Sequence, residues 1–316
     1  MMNKIYNIAL MGGRGFVGQE IITLIDDHPY FELTQVFSKS NAGKKIPNYT
    51  KNKHLLFTEL DVEMRNINPD IDIFILALAN DESKKIVDYI NNNFNDSIII
   101  DVSSDHRFNN DWTYRLPETS IDEVVPKKIS NPGCYATAMQ LILAPIKKDI
   151  NDQVSIMGFS GFSGAGSTPN NKNNRERLKD NILAYSLVNH THEKEVKKHC
   201  YQQLSFTPHV ADFFRGILIT AHIQLVKPMT EDALLTHYQE FYKNKPLIHI
   251  DRSVPLITDA VGKHIACLGG FVLDDSKMQL RLCCSLDNLL KGAATQVIQN
   301  LNYACQHNET LGIHYE

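Results

Sequence analysis

Apolar residues arrive first in short, closely spaced groups. Residues 6–11 read as a buried strand, and 31–37, 71–79 and 97–102 as further strands. Helical spacing fills the gaps at 19–27 and 83–90, the second behind a capping string, Asn80-Asp81-Glu82-Ser83. Strands alternating with helices predict a parallel, doubly wound sheet, whose ligands lie beyond the carboxyl ends of the strands. Past residue 150 the rhythm changes. Residues 154–159 form a strand, 218–226 alternate with period two, and 247–256, 265–273 and 279–285 are further strand candidates. This half predicts a mostly antiparallel sheet carrying helices. The whole is therefore α/β, a Rossmann-type domain followed by an α+β domain. A last amphipathic helix is expected from Asp287 to about Gln306, with 114–118 an extended linker and 170–181 solvated.

At 316 residues the chain is long for one core, and two domains are expected. A net charge of −4 carries no basic signature, so neither nucleic acid nor an anionic membrane is an expected partner. No apolar run nears the roughly 18 residues that span a bilayer. The N-terminal stretch, Met1-Met2-Asn3-Lys4-Ile5-Tyr6, leads straight into a strand and does not read as a signal peptide. Six cysteines lack disulfide or zinc spacing, which suits a reducing cytoplasm.

The string Gly12-Gly13-Arg14-Gly15-Phe16-Val17-Gly18 stands between the first strand and the first helix. It fits both G-x-x-G-x-x-G and G-x-G-x-x-G, and either lets backbone approach a pyrophosphate at a helix N-terminus; a plain tight turn is the alternative. An acid after the second strand would hold ribose hydroxyls. This chain offers Phe37-Ser38-Lys39-Ser40, two hydroxyls and a cation that suit a 2′-phosphate, so NADP is favoured over NAD.

Asn131-Pro132-Gly133 stops the preceding segment, and a helix pattern begins at Cys134. Unpaired N–H groups and the positive dipole end favour a thiolate there; a buried structural cysteine is the plainer alternative. Ser160–Pro169 is a loop of small residues, suited to a cofactor or phosphate, or simply flexible. In His190-Thr191-His192-Glu193-Lys194-Glu195 a histidine held by a glutamate reads as a general acid/base, against a surface patch opening a helix; no third ligand at metal spacing accompanies the pair. Ser103, Asp105 and Arg107 lie in the ligand zone after a strand, where a capping cluster is the alternative.

These segments together resemble the N-acetyl-γ-glutamyl-phosphate reductases of arginine biosynthesis, allied to aspartate-semialdehyde dehydrogenase. The resemblance runs through Asp101-Val102-Ser103-Ser104-Asp105, Leu116-Pro117-Glu118, Asn131-Pro132-Gly133-Cys134-Tyr135-Ala136-Thr137, Ser163-Gly164-Ala165-Gly166, His190-x-His192-x-x-Glu195, Arg215-Gly216-Ile217 and Asp287-Asn288-Leu289-x-Lys291-Gly292-Ala293-Ala294. Two positions depart from it: Arg115, where the family has glycine, and Lys194, where proline is frequent. The resemblance implies Cys134 as nucleophile, His192 as acid/base and Glu195 as its support. It puts Gly12, Gly15 and Gly18 at the pyrophosphate, and Ser163, Gly164, Gly166 and Asn288 around the nicotinamide of NADP. Arg107 and Arg215 are the leading anchors for the substrate's α-carboxylate, with Asn131, His190 and His209 as further contacts. A homodimer or homotetramer acting on a small acyl phosphate is expected. Residues 1–133 with 288–316 form the expected cofactor domain, and 134–287 the substrate and oligomerisation domain.

Two rival readings stand beside this. One is the sister reaction on a carrier-linked substrate in lysine or arginine biosynthesis; it calls for a basic patch, and Lys147-Lys148 with Lys197-Lys198 make a thin one. The other is a non-catalytic NADP-binding regulator, in which the cysteine or histidine pair would be lost.

Overall fold

The apolar runs near the N-terminus become strands of one parallel sheet in a computed structural model that describes residues 4–121 and 124–315. Met1–Asn3 of the N-terminal stretch and Glu316 of the expected cofactor domain lie outside those residues. The elements are β1 (Tyr6–Met11), α1 (Phe16–Asp27), β2 (Phe31–Phe37), β3 (Phe57–Thr58), β4 (Ile73–Leu76), α2 (Ser83–Asn93), β5 (Ile98–Asp101), β6 (Thr113–Tyr114) and β7 (Lys128–Ser130). Their order is β3-β2-β1-β4-β5-β7-β6, with every pairing parallel. Ala9, Met11, Phe74, Leu76 and Ile99 pack with Ile86, Val87 and Ile90 of α2. Their alternates Ile8, Leu10, Ile73, Ile75 and Ile100 are buried as well, as a sheet covered on both faces requires. The order reverses between β1 and β4, where a doubly wound sheet opens its crevice.

Contacts divide the chain into two units. One holds the residues up to Pro132 together with Ala293–His314, the other Gly133–Gly292.

The second unit comprises α3 (Cys134–Leu143), β8 (Val154–Gly161), α4 (Arg175–Leu178), β9 (Ile182–Ala184), α5 (Thr191–His199), β10 (Leu204–Ala211), β11 (Ile217–Gln224), α6 (Glu231–Tyr242), β12 (Ile248–Ile250), α7 (Ile257–Ala260), β13 (Ala266–Leu273) and β14 (Gln279–Leu286). The sheet order is β12-β13-β14-β11-β8-β10-β9. Four of its pairings are antiparallel and two parallel, a mixed sheet. The strand expected over 247–256 shrinks to β12, because the Asp251 side chain accepts the Ser253 N–H and turns the chain.

The first unit is completed by α8 (Thr295–Ala304), which follows a π-helical turn at Leu290–Ala294. Its amphipathic pattern holds, but the polar face is buried as well: Gln296, Gln299, Asn300 and Asn302 are all inside. Its polar side chains meet polar partners instead of water. Gln299 donates to Glu118 Oε1 at 3.0 Å, and Asn300 to Asn131 Oδ1 at 3.1 Å. Arg115 is buried too. Its guanidinium donates to Asn300 Oδ1 (3.0 Å) and Glu309 Oε1 (2.5 Å) and lies 3.7 Å from the Tyr303 ring. The stretch read as a linker is thus part of the interior, and Arg115 is a buried knot within it.

Candidate active site

Cys134 is the first residue of α3, behind Gly133 as N-cap, and no side chain caps that end. Thr137 bonds back to Gly133 O through both N–H and hydroxyl, at 2.8 and 3.0 Å. The Gly133 N–H itself goes to Glu195 Oε2 at 3.0 Å. Space around the cysteine is tight: a Cβ placed on Gly292 would lie 2.8 Å from the Cys134 Cβ. Gly292 therefore has to be glycine, a requirement hidden in the sequence because it depends on a residue far along the chain.

His190 is the N-cap of α5, its Nδ1 accepting the His192 N–H at 3.1 Å. That acceptor role places the neutral ring's proton on Nε2. Burial, with the neighbouring His192 charge, pushes His190 down to about 3, so it stays neutral throughout the ordinary pH range. The two imidazoles lie 4.9 Å apart. His192 Nε2 stands 3.9 Å from Glu195 Oε1, and Glu195 is wholly buried. One carboxylate thus touches both the turn before Cys134 and the histidine.

Tyr135 lies against both histidines and donates its hydroxyl to His209 O at 2.7 Å. The His209 ring stacks on Phe159 at 4.8 Å, with Nδ1 3.2 Å from Gly158 O. Tyr185, 5.6 Å from His190, is pushed upward by burial and then by the Cys134 charge. Neither tyrosine was singled out by its sequence context.

A second cluster in this unit joins Ser163, Arg215, Gly216 and Asn288. Asn288 donates to Ser163 Oγ at 2.9 Å and accepts the Gly216 N–H at 2.7 Å. A Cβ on Gly164 would come 3.0 Å from Ser160 Oγ, while Gly166, at φ +80°, faces open space. Arg215 pairs with the buried Asp287 through Nη2–Oδ1 at 3.0 Å and Nε–Oδ2 at 2.6 Å. Asp287 also accepts the N–H groups of Gly262 and Leu289. The fork expected for a substrate carboxylate is thus turned to an internal one.

In the first unit, Gly12 takes φ +83°, and a Cβ on it would meet Ala77 O at 2.1 Å. One on Gly13 would strike Val36 Cγ1 at 2.3 Å, and one on Gly18 would meet Gly12 O at 2.5 Å. Gly15 caps α1, whose start carries neither a side-chain cap nor an acidic residue in the first turn. Such an end accepts an anion, and the cradle fits a pyrophosphate. Arg14 is exposed and Val17 half-buried beside it. Ser38 is half-buried after β2, with Lys39 and Ser40 exposed. Arg107 braces backbone, donating to Asn131 O (2.9 Å) and Val102 O (2.7 Å). Asp105 caps α2 across the loop, accepting from the Ser83 N–H and hydroxyl; the string in front of α2 supplies no side-chain cap.

Comparison with known proteins matches these units to one family. Residues 7–126 match "Semialdehyde dehydrogenase, NAD binding domain", and 134–288 match "Semialdehyde dehydrogenase, dimerisation domain". The N-acetyl-gamma-glutamyl-phosphate reductase of Xylella fastidiosa is 40% identical over 319 residues, covering 100% of this chain and 97% of that protein. The chain belongs to the N-acetyl-gamma-glutamyl-phosphate reductase family. Membership gives it an NAD(P)-binding unit in the first half of the chain. "Protein arg11, mitochondrial" of Schizosaccharomyces pombe is 42% identical over 99% of the chain, which spans only 36% of that longer relative. Among solved structures, an aspartate semialdehyde dehydrogenase II from Vibrio cholerae, "complexed with ASA", has the same fold at TM-score 0.79 and 18% identity, covering 96% of this chain and 99% of that one. Among the described residues no helix is long and apolar enough to cross a membrane.

Proposed function

We propose that the chain reduces N-acetylglutamyl 5-phosphate to N-acetylglutamate 5-semialdehyde and phosphate, with NADPH and through a thioester on Cys134. The observation that carries this is the single carboxylate, Glu195, that holds the N–H before Cys134 and stands by His192. In this reading the Cys134 thiolate attacks the acyl carbon; the C–O bond to phosphate breaks and a thioester remains. NADPH, when bound, supplies a hydride to that carbon. His192 delivers the proton that the departing Cys134 sulfur takes up as the aldehyde leaves, and Glu195 orients it. His190 stays neutral beside it and offers Nε2–H to the substrate.

The Gly12–Gly18 loop holds the pyrophosphate and Ser38 the 2′-phosphate, with Ser163, Gly164, Gly166 and Asn288 toward the nicotinamide. Free thiols at all six cysteines suit a reducing compartment such as the cytoplasm. A homo-oligomer is supported by the name of the matched domain, a dimerisation domain. The test is phosphate-dependent reduction of NADP with N-acetylglutamate semialdehyde. Turnover that Cys134→Ser abolishes supports the reading; no turnover by the unaltered chain defeats it.

A further inference from the structure

The reaction proposed above needs a cation for the substrate's α-carboxylate, and both arginines suited to it hold other groups: Arg107 two backbone carbonyls, Arg215 the Asp287 carboxylate. We infer that Lys172 is the residue that anchors this carboxylate, an assignment that rests on the acyl-phosphate reading.

Lys172 lies in a stretch whose composition reads as solvated, yet its loop is pinned. Asn170 donates to Ala165 O and Thr168 O at 3.1 and 2.9 Å, and Asn173 to Gly166 O and Thr168 O at 2.9 and 2.8 Å. The Lys172 N–H is held by Asn170 Oδ1 at 2.9 Å. Leu178, just beyond, is fully buried against Phe162 and Val210. A loop fixed at this many points delivers its side chain to one place.

That place is the face of Tyr185, with Nζ 4.8 Å from the ring centroid. Tyr185 in turn lies 5.6 Å from His190, which is 4.9 Å from His192. The Lys172 charge is felt at His190, where it adds to the downward push of burial and His192. Lys172 is half-buried, and among the described residues it pairs with no carboxylate. A half-buried ammonium beside an aromatic face and lacking a counter-ion is set to receive an anion.

Position decides which anion. The phosphoryl group hangs on the reacting carbon and must lie against the Cys134 sulfur. The α-carboxylate sits at the other end of the glutamyl chain. Lys172 meets the Tyr185 ring, which also feels the Cys134 charge, and a cation one aromatic ring removed from the thiol suits the carboxylate.

The experiment compares the full chain with Lys172→Met and Lys172→Arg in phosphate-dependent NADP reduction. Methionine keeps length and ring contact but removes the charge. We expect Lys172→Met to raise KM for the semialdehyde about 10- to 100-fold, the range for losing a hydrogen bond to a charged group. The phosphate KM and NADP binding should not change, kcat should stay within about 3-fold, and Lys172→Arg should recover much of the loss. The unaltered enzyme should also reject the α-amide of the semialdehyde, and Lys172→Met should not distinguish the two. A rise in phosphate KM alone would reassign the lysine to the phosphoryl group and overturn the inference, as would unchanged constants in an active enzyme. An unaltered chain without phosphate-dependent turnover would instead sink the underlying reading, and this inference with it.

Discussion

Glu195 accepts the Gly133 N–H through Oε2 at 3.0 Å while its Oε1 stands 3.9 Å from His192 Nε2. The same side chain therefore shapes the turn before Cys134 and stands beside His192, the acid/base of the proposed reaction. Glu195→Gln keeps an oxygen for Gly133 and removes the charge. It should lower kcat about 10- to 100-fold with little loss of stability. Glu195→Ala leaves a buried N–H unpaired and should cost a further 1–3 kcal/mol or so. Equal thermal midpoints for the two variants would show that the hydrogen bond contributes nothing.

The thiols should differ sharply. Burial pushes up Cys200 (to about 11), Cys305 (to about 12), Cys267, Cys283 and Cys284. Cys134 alone among the six begins a helix, so alkylation near neutral pH should reach it first, and peptide mapping after one equivalent of reagent checks this. Cys134→Ser should retain fold and cofactor binding but lose at least ~10³-fold in rate, since a hydroxyl is barely ionised without a strong base.

Cofactor preference should follow the end of β2, where Ser38, Lys39 and Ser40 stand in place of an acid. kcat/KM should favour NADPH over NADH, and Ser38→Asp should erode that preference by repelling the 2′-phosphate. Equal efficiencies in the unaltered enzyme would remove this role from Ser38.

Acid should loosen the first unit through His28. Its ring is fully buried and stacked on Phe31; Nε2 lies 2.9 Å from Asn302 Oδ1, and Nδ1 accepts the Tyr30 N–H. Burial pushes it from 6.5 down to about 4. Below the unfolded value the unfolded chain binds a proton that the native one refuses, so stability is complete above pH 6.5 and falls as pH drops toward about 4. The slope is about 1.4 kcal/mol per pH unit and the total about 1–3 kcal/mol. Urea unfolding followed by Trp112, the sole tryptophan and part of this unit, reads it. His28→Gln should be less stable at pH 7 but flatter with pH; an unchanged slope would exonerate His28.

What the sequence made legible is what local pattern controls. β2 runs from Phe31 to Phe37 as read from the sequence, and Cys134 opens α3 behind its Pro-Gly turn. Long-range pairing was hidden. Asn300 and Gln299 look solvent-facing until Arg115, Asn131 and Glu118 are brought to them from nearly two hundred residues away. Arg215 looks like a substrate ligand until Asp287 arrives from β14's end. Lys172 looks solvated because the asparagine bonds that fix its loop give no periodic signal.

The Arg115–Asn300–Glu309 knot has a consequence for the order of assembly. The strands of the first unit leave the ribosome early, yet the helix that fills their polar interior follows the entire second unit. Until it arrives, Arg115 and Glu118 lack these partners, which a buried charge cannot do without. The 133–292 segment can therefore finish folding while the nucleotide unit still waits, open, for its last piece, and closing so long an intervening loop costs little more entropy than closing a short one.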